Sequence, residues 1–155
     1  MKWLTLAEAA QVGEVVAAVA VVFSLLYVGR ELQSNTSAVR ASAMQAVTER
    51  SATAVQTMAA DPDLSEVKRV GDVDPSSLTE GGAYQYFLWN RGFWLQMQNV
   101  YVQYQLAVFD SAVWDGYRNL ICHGIALPGL QTTWPDHRRA LSPEFVAVVE
   151  ACPQP

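Results

Sequence analysis

The longest apolar run of the chain lies near its N-terminus, from Ala9 to Gly29, where 21 residues include a single charge, Glu14. A helix needs about 20 mainly apolar residues to cross a bilayer. The ten Val, Leu and Phe residues of this run favour insertion by about 3 to 6 kcal/mol, against about 3 kcal/mol for one central carboxylate. We therefore predict a transmembrane anchor over residues 1–30. A buried helix of a soluble protein and a cleaved signal peptide are the alternatives.

Small residues recur within this run at intervals of about one helical turn, a spacing that permits close contact with a second helix. The carboxylate is either part of a contact with another subunit or a group that reaches the lipid headgroups. The sequence thus predicts a helix contact within the membrane that involves Gly13, Glu14, Ala17, Ala20 and Ser24.

The orientation of the anchor follows from the charges at its two ends. Arg30 and Arg40 follow the run, whereas Lys2 and the amino terminus precede it. The positive-inside tendency then predicts a cytoplasmic C-terminal part. We interpret the two cysteines, Cys122 and Cys152, as unpaired, buried, small side chains. Unpaired cysteines mildly favour a reducing compartment, which is consistent with the cytoplasm.

Beyond the anchor, helical spacing and capping signals predict a bundle domain over residues 31–155. Asp61-Pro62 and Ser142-Pro143 are typical of helix starts, with a capping side chain followed by proline at the first helical position. No segment shows sustained period-two alternation, so the fold class is all-α, an N-terminal transmembrane helix continuing into a small helical bundle. The predicted helices of the domain cover about residues 34–60, 78–109, 110–127 and 142–152.

Three segments between or within these helices are predicted to be irregular. Ser34–Ser37 carries side chains that compete for backbone hydrogen bonds, so we expect an interruption or kink there. The acidic and glycine-containing segment Gly71–Asp74 indicates a loop, and Leu130–Arg139, with an internal Trp-Pro pair, indicates a short turn.

The central helix is apolar over most of its circumference. Apolar pairs recur along it every seven residues: Phe87-Leu88, Trp94-Leu95, Tyr101-Val102 and Val108-Phe109. This pattern predicts a helix buried on several sides, with Gly92 permitting a close helix crossing. Arg91, the single charge between Gly81 and Phe109, should be bound by a carboxylate or by carbonyl groups. The alternative interpretation of the aromatic residues is a ligand pocket beside Arg91, Trp94 and Gln98.

The composition and the sequence motifs restrict the classes of function that the chain is expected to have. The net charge is −5 and the ten Lys and Arg residues form no stripe, which argues against nucleic-acid binding. Charged residues make up 16% of the chain, below the roughly 25% of soluble domains. P-loop, GxGxxG, HExxH, GxSxG and paired CxxC patterns are all missing. We expect no cofactor, no metal and no enzymatic activity; an enzyme would need a site that contains His123 or His137.

Two parts of the sequence resemble a group of uncharacterised bacterial proteins. One is VVFSLLYVGRELQSNTSAVRA, residues 21–41, and the other is PGLQTTW followed by LSPEFVAVVE, between residues 128 and 150. Proteins of that group begin with a single membrane helix and have no assigned activity. The resemblance implies a membrane-anchored helical protein of bacteria and supplies no functional residues.

These observations predict a single-pass protein of the bacterial inner membrane that is in contact with membrane lipid. It would be a non-enzymatic accessory or scaffolding protein that acts through helix–helix association, either as a homo-oligomer or within a larger membrane complex. The alternative function is a membrane-tethered sensor of a small ligand, which would occupy the aromatic pocket of the bundle.

Overall fold

The structure, a computed structural model, describes the backbone of residues 6–153 and the side chains of residues 13–153. Lys2, one of the charges used to predict the orientation, lies outside the described residues. The described chain contains six α-helices, one short 3₁₀ helix and no strand, which confirms the all-α fold class. It divides into two compact units, residues 1–42 and 43–155. The division falls after Ser42, later in the chain than the domain boundary predicted after residue 30.

Helix α1, Leu6–Ala60, contains the apolar run. Within the described residues it is the one helix that is long and apolar enough to cross a membrane, with an 18-residue window of mean hydropathy 1.9, none of it buried. The predicted interruption at Ser34–Ser37 is wrong. The hydroxyl groups of Thr36 and Ser37 donate hydrogen bonds to the carbonyls of Leu32 and Gln33, at 2.8 and 3.0 Å, so they bond to the preceding turn while the helix continues through them.

Five further helices follow in the second unit. Two of them begin at the capping residues predicted from the sequence, Asp61 and Ser142. The Asp61 carboxylate accepts a hydrogen bond from the Leu64 amide at 3.0 Å, and the Ser142 hydroxyl accepts one from the Phe145 amide at 3.3 Å. Each of these caps is followed by proline at the first helical position, as predicted. The helices are α2 Pro62–Val73, α3 Glu80–Gln105, α4 Ser111–Ala126, α5 Pro128–Arg138 and α6 Pro143–Glu150, with the 3₁₀ helix Pro75–Ser77 before α3.

Two predicted irregular segments are helical. Helix α2 continues to Val73, so the loop predicted over Gly71–Asp74 is wrong for all but its last residue. The short turn predicted over Leu130–Arg139 is also wrong, because α5 occupies almost all of it. Pro128 suits the start of α5, where an amide hydrogen has no helical partner, but Pro135 lies inside the helix and removes one backbone hydrogen bond. That internal proline is why the sequence pattern indicated a turn.

Helix α3 is the central helix of the second unit and packs against α2, α4 and α5. Its approach to α2 depends on glycine, since a Cβ atom at Gly71 would lie 2.5 Å from the ring of Tyr86. By contrast, a Cβ at Gly92 would meet nothing within 4 Å, so the close crossing predicted there is wrong. The fully buried side chains of the core are Tyr86, Asn90, Trp94, Val100, Ile121, His137, Phe145 and Val149.

Cys122 and Cys152 form a disulfide that joins α4 to the residues after α6. The prediction that both cysteines are unpaired is therefore wrong. Helices α4 and α6 pack against each other, which brings the two Cα atoms to 5.2 Å, within the usual range for a disulfide. A separation of 30 residues along the sequence gave no sign of this contact.

Candidate functional site

The residues predicted to mediate contact within the membrane all lie on α1, and their side chains are exposed: Gly13, Glu14, Ala17, Ala20 and Ser24. The large apolar side chains between Val15 and Val28 are likewise 48% to 69% exposed. A Cβ at Gly13 would meet no atom within 4 Å, so this position is open to a neighbouring helix. The contact itself stays a prediction.

The apolar pairs of α3 are divided between the core and the surface. In each of the first three pairs, the first residue is the more buried one: Phe87 and Tyr101 are half-buried and Trp94 is fully buried. The second residue of each pair, Leu88, Leu95 or Val102, is exposed. The prediction that α3 is buried on several sides therefore fails along one line of the helix, where large apolar side chains face solvent.

We call this line the α3 seam. Its members are 43% to 70% exposed, and they are spaced by four, seven, seven and four residues: Tyr84, Leu88, Leu95, Val102 and Leu106. On a helix with 3.6 residues per turn these positions fall within a sector of about 40°. The seam runs along the whole of α3 and ends on Leu106, its C-cap residue. Exposed large apolar side chains that are aligned along one helix in this way are typical of an interaction surface.

The three residues predicted to line a ligand pocket are each held in contacts within the fold. The Arg91 guanidinium donates to the carbonyl of Asp136 at 3.2 Å and lies over the ring of Phe87, which confirms that carbonyl oxygen binds this charge. The Trp94 ring packs at 4.8 Å from that of Trp134. The Gln98 side-chain oxygen accepts a hydrogen bond from the Ser142 amide at 2.6 Å, which fixes the start of α6.

An apolar cavity of about 670 Å³ lies next to the α3 seam, with which it shares Leu88, where α3 meets the last turns of α1 and the start of α2. Gln96 lines this cavity, and both its amide nitrogen and its amide oxygen are buried without a hydrogen-bond partner within the described residues. Sequence reasoning missed the site because its lining combines small residues of α1 with aromatic residues of α3. The principal lining residues are Ala54, Met58, Trp89, Gly92, Phe93 and Gln96.

The two histidines lie in different surroundings. His123 is exposed on α4, whereas His137 is fully buried and stacks on Phe87 with ring centroids 4.6 Å apart. Burial, together with the positive charge of Arg91, lowers the pKa of His137 to about 4. Within the described part of the chain no group of three or more His, Cys, Asp or Glu side chains is arranged to hold a metal ion.

Comparison with known proteins finds no matching family model, no matching curated protein and no matching solved structure. The features of the chain that bear on its function are therefore the apolar part of α1, the α3 seam, the disulfide and the cavity.

Proposed function

We propose that this chain is a membrane-anchored accessory or scaffolding protein that acts by helix–helix association and catalyses no reaction. The observation that carries the proposal is the α3 seam, in which five large apolar side chains follow one line of a 26-residue helix and remain exposed. Side chains on such a line pack efficiently against the apolar face of another helix. The occupant of the seam is a helix of another protein chain, either a second copy or a member of a larger membrane complex.

The anchor of the proposed protein is the apolar part of α1. Support comes from its length, its mean hydropathy of 1.9 and the exposure of all its described side chains. Because these side chains are exposed, the run does not serve as a core helix of the described chain. Lipid would cover the large apolar side chains, and the small residues from Gly13 to Ser24 would allow a second helix to approach.

We propose further that the second unit lies on the oxidising side of the membrane. The sequence predicted a cytoplasmic second unit, in part because the cysteines were interpreted as unpaired. The disulfide removes that reason. Disulfides persist in oxidising compartments and are rare in the reducing cytosol, so the Cys122–Cys152 bond supports the opposite side. The positive-inside tendency opposes this side only weakly, because two Arg residues, Arg30 and Arg40, follow the span and one Lys precedes it.

The orientation is tested by thiol labelling in intact cells. A membrane-impermeant maleimide should label Cys122 only after treatment with an impermeant reductant, because its sulfur is held in the disulfide with the buried Cys152 and the second unit lies outside the cytoplasm. Labelling that needs cell lysis but no reductant would place the second unit in the cytoplasm and contradict the proposed side.

Association is tested by mild-detergent extraction from native membranes, followed by native mass analysis. The wild-type chain should be recovered as an assembly whose mass identifies the copy number or the partner. Leu95→Glu should weaken the assembly at least about tenfold, because it removes buried apolar area and places an unpaired charge in the contact. Val73→Glu is the matched control, since Val73 is also exposed but lies on α2, outside the seam. A wild-type chain that is recovered as a lone protomer in several detergents would refute the proposal.

A further inference from the structure

The cavity beside α3 combines a mostly apolar lining with one buried amide, that of Gln96, which has no hydrogen-bond partner among the described residues. Its lining is mostly apolar, from Ala54 and Met58 of α1 to Trp89 and Phe93 of α3. A volume of about 670 Å³ lies within the range of small-molecule sites in proteins. All the lining residues belong to the second unit, so the cavity is a feature of that unit alone.

The polar groups of the lining differ in whether they are already hydrogen-bonded. The hydroxyl groups of Ser51 and Ser65 donate to the carbonyls of Val47 and Met58, at 3.0 and 2.5 Å. The amide of Gln96 has no such partner among the described residues, and both of its polar atoms are buried. A buried amide without partners costs about 1 to 3 kcal/mol for each unsatisfied group. The amide of Asn90 is also unpartnered among the described residues, but of the two amides only that of Gln96 lines the cavity.

From these contacts we infer that the cavity binds an apolar small molecule whose polar head presents one hydrogen-bond donor beside one acceptor. The Gln96 amide nitrogen donates to the acceptor of the head, and the Gln96 amide oxygen accepts from its donor. Primary amides have this arrangement, whereas a carboxylic acid would lose its donor by ionising beside Arg50, which also lines the cavity. The apolar part of the molecule lies against the aromatic rings of α3 and the small side chains of α1. This ligand site shares Leu88 with the α3 seam, whereas Gln96, which would bind the polar head, lies outside the seam.

Gly92 offers a way to fill the cavity without disturbing the fold. It lines the cavity, and a Cβ at this position would meet no atom within 4 Å. Leucine in the middle of α3 is also a better helix former than glycine. Gly116 on α4 is the matched control, because a Cβ there is equally unobstructed and the residue does not line the cavity.

The experiment is a calorimetric titration of the full chain in lipid nanodiscs, with empty nanodiscs as the blank. The probes are hexanamide and N,N-dimethylhexanamide, which share the chain and the carbonyl but differ in the donor. Wild type should bind hexanamide about tenfold more tightly than the dimethyl compound, because the latter leaves the Gln96 oxygen unpaired. Gly92→Leu should lose at least tenfold in affinity for hexanamide, Gly116→Leu should match wild type, and Gln96→Leu should no longer distinguish the two amides.

Three results would overturn the inference: no saturable binding of hexanamide to wild type, equal affinity of wild type for the two amides, or unchanged binding by Gly92→Leu. The thermal unfolding midpoints of the Gly92→Leu and Gly116→Leu chains are measured alongside. Midpoints at or above that of wild type show that a loss of affinity comes from the filled cavity. The native mass of each variant reports on association separately, because none of the three substituted residues belongs to the α3 seam.

Discussion

At the scale of single residues, His137 is a titratable group that the fold buries completely. Its ring is fully buried, and neither ring nitrogen has a hydrogen-bond partner within the described residues. Burial disfavours the charged form, and the nearby Arg91 disfavours it further, so the pKa falls from 6.5 to about 4. The imidazole is thus neutral in the folded protein throughout the range in which an exposed histidine becomes protonated.

We expect the free energy of unfolding to fall as the pH drops from about 6.5 to about 4. In this window the unfolded chain binds a proton at residue 137 and the folded chain does not, so acid favours unfolding. The shift corresponds to about 3 kcal/mol. Denaturant unfolding at several pH values should show this loss in wild type and a flatter profile in His137→Leu. The substitution of exposed His123 by leucine should retain the wild-type slope, and an unchanged slope in His137→Leu would contradict the account.

Gly71 gives a second prediction at this scale. A methyl group there would lie 2.5 Å from the ring of Tyr86, which is itself fully buried and unable to move away. Gly71→Ala should therefore lower the free energy of unfolding by about 2 kcal/mol through overpacking. Gly116→Ala, at an open helical position, should raise it by about 0.5 to 1 kcal/mol. If both variants proved more stable than wild type, the close contact between α2 and α3 would be wrong.

At the scale of elements, the disulfide fixes the last helix to the bundle. Cys122 lies on α4 and Cys152 follows α6, so the bond closes a loop with a sequence separation of 30 residues. Closing a loop of this size in the unfolded chain corresponds to about 3 to 4 kcal/mol. The double substitution Cys122→Ser and Cys152→Ser should lower the free energy of unfolding by about this amount. Reduced wild type should match the double variant, whereas equal stability of the oxidised and reduced chains would argue that the bond does not form.

Local signals in the sequence predicted most of the helix starts, because a capping side chain and the amide that it satisfies are three residues apart. Asp61 and Ser142 are examples. Interactions between elements were not predictable in this way. The disulfide, the glycine contact at Gly71 and the cavity beside Gln96 each depend on which helices pack together, and helical periodicity does not supply that information. Helix α5 was missed because Pro135 contradicts a helical pattern that tertiary packing nevertheless stabilises.

The α3 seam shows where periodicity was informative and where it misled. The repeat of apolar pairs every seven residues was visible in the sequence, and it led to the prediction of burial on several sides. The packing within one chain covers only the first member of each of three pairs, such as Trp94, and leaves the second, such as Leu95, exposed. A single sequence gives the number of apolar faces of a helix but not whether this chain or another chain covers them.

At the scale of the whole molecule, the apolar residues that make up 51% of the chain exceed what the described core uses. Most of the exposed large apolar side chains lie in two places, the apolar run of α1 in the first unit and the α3 seam in the second. Lipid is the natural surrounding of the first, and a helix of another chain suits the second. We therefore expect both exposed apolar surfaces to be covered in the cell.

The most direct test of this account is site-specific photo-crosslinking in native membranes, before any detergent is added. A photoreactive amino acid is placed at position 95 in the seam and, as the control, at position 73 on α2. The account predicts a discrete crosslinked product from position 95, with a mass that identifies a second copy or a different protein, and no such product from position 73. Position 95 yielding no product in intact membranes, or the same products as position 73, would contradict association through the α3 seam.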